Sequence, residues 1–231
     1  MVYNADLDNL YVGLEDVRMF PFNGELLYNC NRGLGSHKLA VEHGKVRTVM
    51  ELDVPRMDAI IKMEGQREVE KNWVLFEDAN GNLKCIYDWH ELVIGDIVDK
   101  SAIDSDDEVA SVPPEYEFVP THKIDTPLVF KYFRGSTNGV RIGNEIWFIC
   151  HAVSYEDPRY YYHSFITLDA ETYEVKRYTP FMTFDGEKVE YTLGFVHRRE
   201  GNQFLIGYSK MDNSTHYIAV KKSVIEGMMM T

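Results

Sequence analysis

The stretch that decides the fold is Val140-Arg-Ile-Gly-Asn-Glu-Ile-Trp-Phe-Ile-Cys150. Two segments rich in β-branched and aromatic residues flank a Gly-Asn turn, which is the pattern of a β-hairpin. Similar hairpin patterns occur four times in all, with turn glycines at Gly24, Gly81, Gly143 and Gly201. The spacings between these glycines are 57, 62 and 58 residues, close to one four-stranded propeller blade with its loops.

This repeat predicts an all-β fold, a β-propeller with about four blades, as a single domain over residues 1–231. An antiparallel sandwich with accidentally equal spacing is the alternative. We expect each turn glycine to lie between the first two strands of its blade. The predicted blades cover residues 13–56, 66–118, 134–182 and 189–226.

The composition excludes several classes of protein. The chain has 24 lysines and arginines against 37 aspartates and glutamates, a net charge of −13, so a nucleic-acid partner is not expected. No apolar stretch approaches the roughly 18 residues of a membrane span, and the first residues do not resemble a signal peptide. The three cysteines, Cys30, Cys85 and Cys150, lack C-x-x-C spacing. They are expected to be buried free thiols in a cytoplasmic protein.

Five segments, in chain order, carry a resemblance to a known family. They are Gly13-Leu-Glu-Asp-Val-Arg18, Glu70-Lys-Asn-Trp-Val-Leu-Phe-Glu77, Ile146-Trp-Phe-Ile-Cys-His151, Leu193-Gly-Phe-Val196 and Ile206-Gly-Tyr-Ser-Lys-Met-Asp212. They resemble motifs of glycoside hydrolase family 130, whose members are five-bladed propellers that act on mannosides, many of them as phosphorylases. The set is also similar to propeller modules found beside glycosyltransferases in large DNA viruses and bacteria, so a virion-associated location is an alternative to a freely cytoplasmic one.

The resemblance implies an inverting glycoside hydrolase or phosphorylase that acts on or binds a mannoside-like glycan. Asp16 would be the catalytic residue that donates a proton to the glycosidic oxygen. Asn138 is added as a substrate-binding residue because it precedes an inner strand of the third predicted blade. The expected substrate-binding residues are Glu15, Arg18, Lys71, Asn72, Asn138, His151 and Asp212.

Three departures from the family pattern qualify this expectation. Val17 replaces the proline of the first motif, and the arginine pair that holds phosphate in the family is missing around Lys71 and Asn72. The missing pair favours water over inorganic phosphate as the nucleophile, or no reaction at all, and no metal or other cofactor is expected. The first family blade has no counterpart before Glu15, so the expected alternatives are a truncated product, a four-bladed variant, or a chain that a protein partner or a second chain completes.

Each candidate residue also has a structural interpretation. Asp16 and Arg18 could form an ion pair without catalytic function, Lys71 could be a solvated strand-end lysine, and His151 could be a core histidine. The acidic segment Asp104-Ser-Asp-Asp-Glu108 is interpreted as a solvated loop between blades. The function alternative to an enzyme is a non-catalytic carbohydrate-binding or structural module, either associated with a glycosyltransferase or part of a virion.

Overall fold

The structure of the chain is a computed structural model that describes residues 13–34, 38–46, 59–100, 115–155 and 159–231. Within these ranges, aromatic and β-branched runs separated by glycine and asparagine turns form strands, because such side chains pack well on a pleated surface. The strands are β1 (Leu14–Phe22), β2 (Glu25–Gly33), β3 (Leu39–Lys45), β4 (Ala59–Lys62), β5 (Val74–Glu77), β6 (Leu83–Asp88), β7 (Val93–Asp99), β8 (Tyr116–Lys123), β9 (Arg134–Gly135), β10 (Val140–Ile142), β11 (Glu145–Ser154), β12 (Tyr160–Asp169), β13 (Val175–Tyr178), β14 (Glu190–Arg198), β15 (Gln203–Lys210) and β16 (Ser214–Lys221).

A short 3-10 helix (Leu128–Tyr132) precedes β9, and helix α1 (Lys222–Met228) follows β16. In the part of the chain that the structure describes, no helix is long and apolar enough to cross a membrane. The acidic segment at residues 104–108 and the end of the first predicted blade, residues 47–56, lie outside the described residues.

Hydrogen bonding divides the strands into four groups, which we call blades 1 to 4. They are β1–β4, β5–β8, β9–β13 and β14–β16, with antiparallel neighbours inside each group. Parallel pairing of β4 with β8 joins blades 1 and 2 into one eight-stranded sheet. The chain is therefore an all-β propeller with about four blades, as the hairpin repeat predicts.

The inner strands of the blades meet at the centre of the propeller. Strand β1 contacts β5 and β14, and β10 contacts the same two strands, so that the four inner strands form a closed ring of contacts. Residues at the same end of these strands are thereby brought together although they are far apart in the sequence. This ring is what positions the candidate site.

Strand β5 shows why the inner strands are apolar on both faces. Trp73, which directly precedes it, and Leu75 pack in a cluster with blade 1, whereas Val74 and Phe76 pack in a cluster with blade 3. All four side chains are buried, because blade 2 is covered on one face by blade 1 and on the other by blade 3. A third cluster joins blades 3 and 4 through residues such as Trp147 and Phe204.

Blades 4 and 1 contact each other differently. Among the described residues no buried apolar cluster lies between them, although β14 and β1 touch at the centre. Instead, a cleft of about 870 Å³ borders both blades. Its walls include the exposed side chains of Val17, Met19, Val196 and Tyr217.

The predictions about the turn glycines and the cysteines are confirmed. The four glycines lie between β1 and β2, β5 and β6, β10 and β11, and β14 and β15, all with positive φ between 65° and 81°. A residue with a side chain rarely adopts this left-handed backbone, which explains the choice of glycine. Cys30, Cys85 and Cys150 are buried free thiols on β2, β6 and β11, each the strand that follows the turn glycine of its blade.

Candidate functional site

A β-bulge near the start of β1 displays Asp16. The pairing of β1 with β2 shifts register between Glu15 and Arg18, and Asp16 has a left-handed backbone with φ of 54°. Aspartate tolerates this conformation better than most residues. Bulges re-aim side chains in strands, and this one gives Asp16 contacts that regular pairing would not provide.

Three groups hold the carboxylate of Asp16, and all three engage its Oδ2 atom. Asn31 Nδ2 donates a hydrogen bond at 3.1 Å, the Tyr191 hydroxyl donates one at 3.2 Å, and Arg18 Nη2 lies 3.6 Å away. Among the described residues none engages Oδ1. The side chain of Asp16 is 28% exposed, so the carboxylate is held by the protein and still reached by solvent.

Arg18 lies beneath Asp16 with no exposed side-chain surface. Its guanidinium donates to the carbonyl oxygens of Ser136 at 2.7 Å and of Asp16 at 2.8 Å, and to the Tyr191 hydroxyl at 3.1 Å. A planar fork of several donors suits such a set of acceptors, and lysine could not reproduce it. Arg18 thus ties β1 to the loop after β9 and to β14.

Blade 2 contributes Lys71 and Asn72, which lie just before β5. Asn72 has a positive φ of 64°, and its backbone N–H donates to Asn31 Oδ1 at 3.4 Å. Its side-chain oxygen lies within 3.5 Å of Arg18 Nη2 and 3.4 Å of the Tyr191 hydroxyl. Asn72 therefore belongs to the same polar network as Asp16.

Blade 3 contributes His151, on β11. Its Nδ1 atom is 2.8 Å from Ser136 Oγ, and its ring packs near Tyr161 and edge-on against Tyr191, with ring centroids 6.0 and 5.0 Å away. Burial, followed by the proximity of His163 and Arg18, lowers the pKa of His151 well below its usual value. His151 is therefore a neutral imidazole at neutral pH.

These side chains surround a cavity of about 320 Å³. Its walls include acids, cations and tyrosines: Glu15, Asp16, Asp212, Lys71, Arg134, Arg159, Tyr155, Tyr161 and Tyr191. The pKa of Glu15 is raised by burial first and by Asp16 second, while Lys71 opposes the shift. A neighbouring cavity of about 340 Å³ shares Lys71, Asn72 and Arg134 with this one.

The structure brings six of the eight predicted site residues to this cavity. They are Glu15, Asp16, Lys71, Asn72, His151 and Asp212. Within the described ranges, no group of three or more His, Cys, Asp or Glu side chains is arranged to hold a metal ion.

Arg18 and Asn138, also predicted as substrate-binding residues, do not line this cavity, and Asn138 borders the cleft of about 870 Å³ instead. Arg18 is buried under Asp16. Asn138 accepts a hydrogen bond from the Leu75 backbone N–H at 2.8 Å and donates to Asn29 Oδ1 at 3.0 Å. The amide of Asn138 is thus used to join blades 1, 2 and 3.

Sequence reasoning missed Tyr191, Asn31 and Arg159. Tyr191 lies in β14 only two residues before the Leu193-Gly-Phe-Val196 motif, which is the nearest signal in the sequence. Asn31 follows Cys30 on β2 and pairs with Glu15 in the register, so a correct hairpin alignment could have identified it.

Comparisons with known proteins support the fold. No protein-family profile matches the chain, and no curated protein matches it. Among solved structures, β-1,2-mannobiose phosphorylase from Listeria innocua is 14% identical with a TM-score of 0.61, over 94% of this chain and 60% of that one. MPT-1, a GDP-Man-dependent mannosyltransferase from Leishmania mexicana, is 14% identical with a TM-score of 0.57, over 90% and 68%.

An endo-arabinase from Bacteroides thetaiotaomicron is 10% identical with a TM-score of 0.53, over 96% of this chain and 78% of that one. The chain spans only about three fifths of the Listeria enzyme. At these identities the likeness establishes the fold, the propeller of the five-bladed glycosidase type.

Proposed function

We propose that the cavity binds a mannoside-like glycan and acts on its glycosidic bond, with Asp16 exchanging the proton. The observation that carries this proposal is the state of the Asp16 carboxylate. Its Oδ2 is held by Asn31 and Tyr191, while no described residue engages Oδ1. A carboxyl fixed at one oxygen and open at the other has the geometry needed to exchange a proton with a bound ligand.

The walls of the cavity suit a sugar. Tyrosine rings offer apolar faces to the C–H groups of a pyranose, and the charged and amide side chains offer donors and acceptors to its hydroxyls. Tyr155 and Tyr161 supply the rings, while Lys71, Asn72 and Arg134 supply polar groups. The Listeria and Leishmania proteins with a similar fold are a mannobiose phosphorylase and a mannosyltransferase, which supports a mannoside-like ligand.

An inverting reaction needs an acid at the leaving oxygen and a nucleophile on the opposite face of the sugar. Asp16 would protonate the glycosidic oxygen as the bond to the anomeric carbon breaks. If water attacks, Glu15 or Asp212 would accept its proton, since both line the same cavity. If inorganic phosphate attacks, Lys71, Arg134 and Arg159 would hold it, and no second carboxylate is required.

The test is the Asp16→Asn variant, assayed on β-mannosides with and without inorganic phosphate. We expect turnover to fall by at least about a hundredfold because the amide cannot donate the proton. Glycan affinity, measured by calorimetry, should change little. Asp125→Asn, the same substitution at an exposed position away from the cavity, is the matched control. Full activity of Asp16→Asn would refute the proposed role.

The second candidate function is a glycan-binding module without catalysis. The observation that favours it is the hydrogen bonding of Asp16, because Arg18, Asn31 and Tyr191 together can hold this carboxylate as a structural anion. The same experiment separates the two functions. Glycan binding by the wild type with no turnover, together with lower thermal stability of Asp16→Asn, would establish the binding module.

A further inference from the structure

We propose that Tyr191 is the positioning residue that sets the orientation of the Asp16 carboxylate. This inference rests on the proposed function, since it concerns the same proton exchange. It arises from the contact of β14 with β1, the point at which the ring of inner strands closes. No sequence motif contains Tyr191. It lies in blade 4, whereas its partner Asp16 lies in blade 1.

The direction of the hydrogen bonds follows from the chemistry of the three groups. The guanidinium of Arg18 can only donate, so the Tyr191 hydroxyl accepts from Arg18 Nη2, at 3.1 Å. The single hydroxyl proton is then left to donate to Asp16 Oδ2 at 3.2 Å or to Asn72 Oδ1 at 3.4 Å. The carboxylate is nearer and charged, and hydrogen bonds to charged acceptors are the stronger ones, so Asp16 is the preferred acceptor.

The phenol keeps its proton over the working range of pH. Burial raises the pKa of Tyr191, and Asp16 raises it further, while Arg18 opposes the shift. Tyr191 is therefore a permanent donor and not itself a source of protons near neutrality. Its effect on the reaction has to pass through Asp16.

The ring of Tyr191 is held in place by its neighbours. His151 and Tyr161 contact it edge-on, with centroid distances of 5.0 and 6.2 Å. Asp16, in contrast, lies in a bulge with a left-handed backbone, so regular strand pairing does not fix its side chain. The Tyr191 hydroxyl, on a ring packed by its neighbours, therefore fixes the Asp16 carboxylate through a hydrogen bond to Oδ2.

The test is Tyr191→Phe, which keeps the ring and removes only the hydroxyl. Tyr208→Phe is the matched control, because Tyr208 is buried on the adjacent strand β15 and does not line the cavity. The first measurement is the NMR spectrum, at one fixed neutral pH, of protein carrying ¹³C-labelled aspartate carboxyl groups, with the Asp16 resonance assigned from Asp16→Asn. We expect the Asp16 carboxyl resonance to move in Tyr191→Phe and to stay in place in Tyr208→Phe, since only the first substitution removes a donor from Asp16 Oδ2.

The second measurement is steady-state kinetics on a β-mannoside at neutral pH. In Tyr191→Phe, kcat should fall by about tenfold or more with KM within about twofold, while Tyr208→Phe should keep both constants. An unmoved Asp16 carboxyl resonance in Tyr191→Phe overturns the inference, whatever happens to the rate. Absence of turnover in the wild type would refute the proposed function alone, because the Asp16 resonance still decides the role of Tyr191.

Discussion

His163 makes the stability of this fold sensitive to acid. The side chain lies on β12 with no exposed surface, and neither ring nitrogen has a hydrogen-bond partner in the described structure. Its ring stacks on Phe184 with centroids 4.4 Å apart. Burial lowers the pKa of His163 to about 3, so the imidazole stays neutral in the native state.

The sign of the effect follows from proton binding in the two states. In the unfolded chain, histidine titrates near pH 6.5, so between about pH 6.5 and pH 3 the unfolded state binds a proton that native His163 does not. The native state therefore loses stability as the pH falls through this window. Between pH 7 and pH 5 the loss is about 2 kcal/mol from His163 alone. His151, whose pKa is also lowered, adds to the loss in the same direction.

The assay is urea unfolding at pH 7 and pH 5 for the wild type and for His163→Leu. Leucine is apolar and of similar volume, so we expect the variant to be within about 1.5 kcal/mol of the wild type at pH 7. Its loss of stability on going to pH 5 should be about 2 kcal/mol smaller than that of the wild type. His90→Gln, at an exposed position, is the control and should keep the wild-type pH dependence. Equal losses in His163→Leu and wild type would refute the reasoning.

Two further substitutions test the contacts that build the site and the core. Arg18→Lys should lower the free energy of unfolding by about 1–3 kcal/mol, because one ammonium cannot reach all the buried acceptors, including the Ser136 carbonyl; chemical denaturation measures this, and an unchanged midpoint would contradict it. Gly139→Ala should cost about 1–3 kcal/mol, since an added Cβ would lie 2.7 Å from Phe76 Cβ, whereas Gly194→Ala meets nothing within 4 Å and is the control. Thermal unfolding of the two alanine variants measures this difference, and equal melting temperatures would show that the core adapts around position 139.

The repeat of hairpins was predictable because its signals are local. Each turn glycine lies between two runs of strand-forming residues, and a turn with positive φ is specified by a few neighbouring residues. The placement of Lys71 and Asn72 also followed from a local rule, since residues just before an inner strand lie at the centre of a propeller. The local amino-acid sequence was enough to predict these features.

Asn138 shows where this rule fails. It precedes an inner strand as Asn72 precedes β5, and the sequence alone does not distinguish the two. In the structure, the amide of Asn138 is taken up by Leu75 and Asn29, because this point of the ring is where three blades pack together. Which polar side chain is exposed and which joins blades depends on contacts between distant segments. Such contacts leave no pattern in the local sequence.

Tyr191 could not be predicted from the local sequence either, because its role depends on a contact between the two ends of the described chain. Asp16 is in blade 1 and Tyr191 in blade 4, with Arg18 bonded to both. The Asp16 carboxylate is therefore fully held only when the last blade has reached the first. Within the described residues, these polar contacts join blades 1 and 4 at the centre of the ring, where β1 touches β14. The network that positions Asp16 thus also helps to close the propeller, so the chemistry of the site and the closure of the fold depend on the same hydrogen bonds.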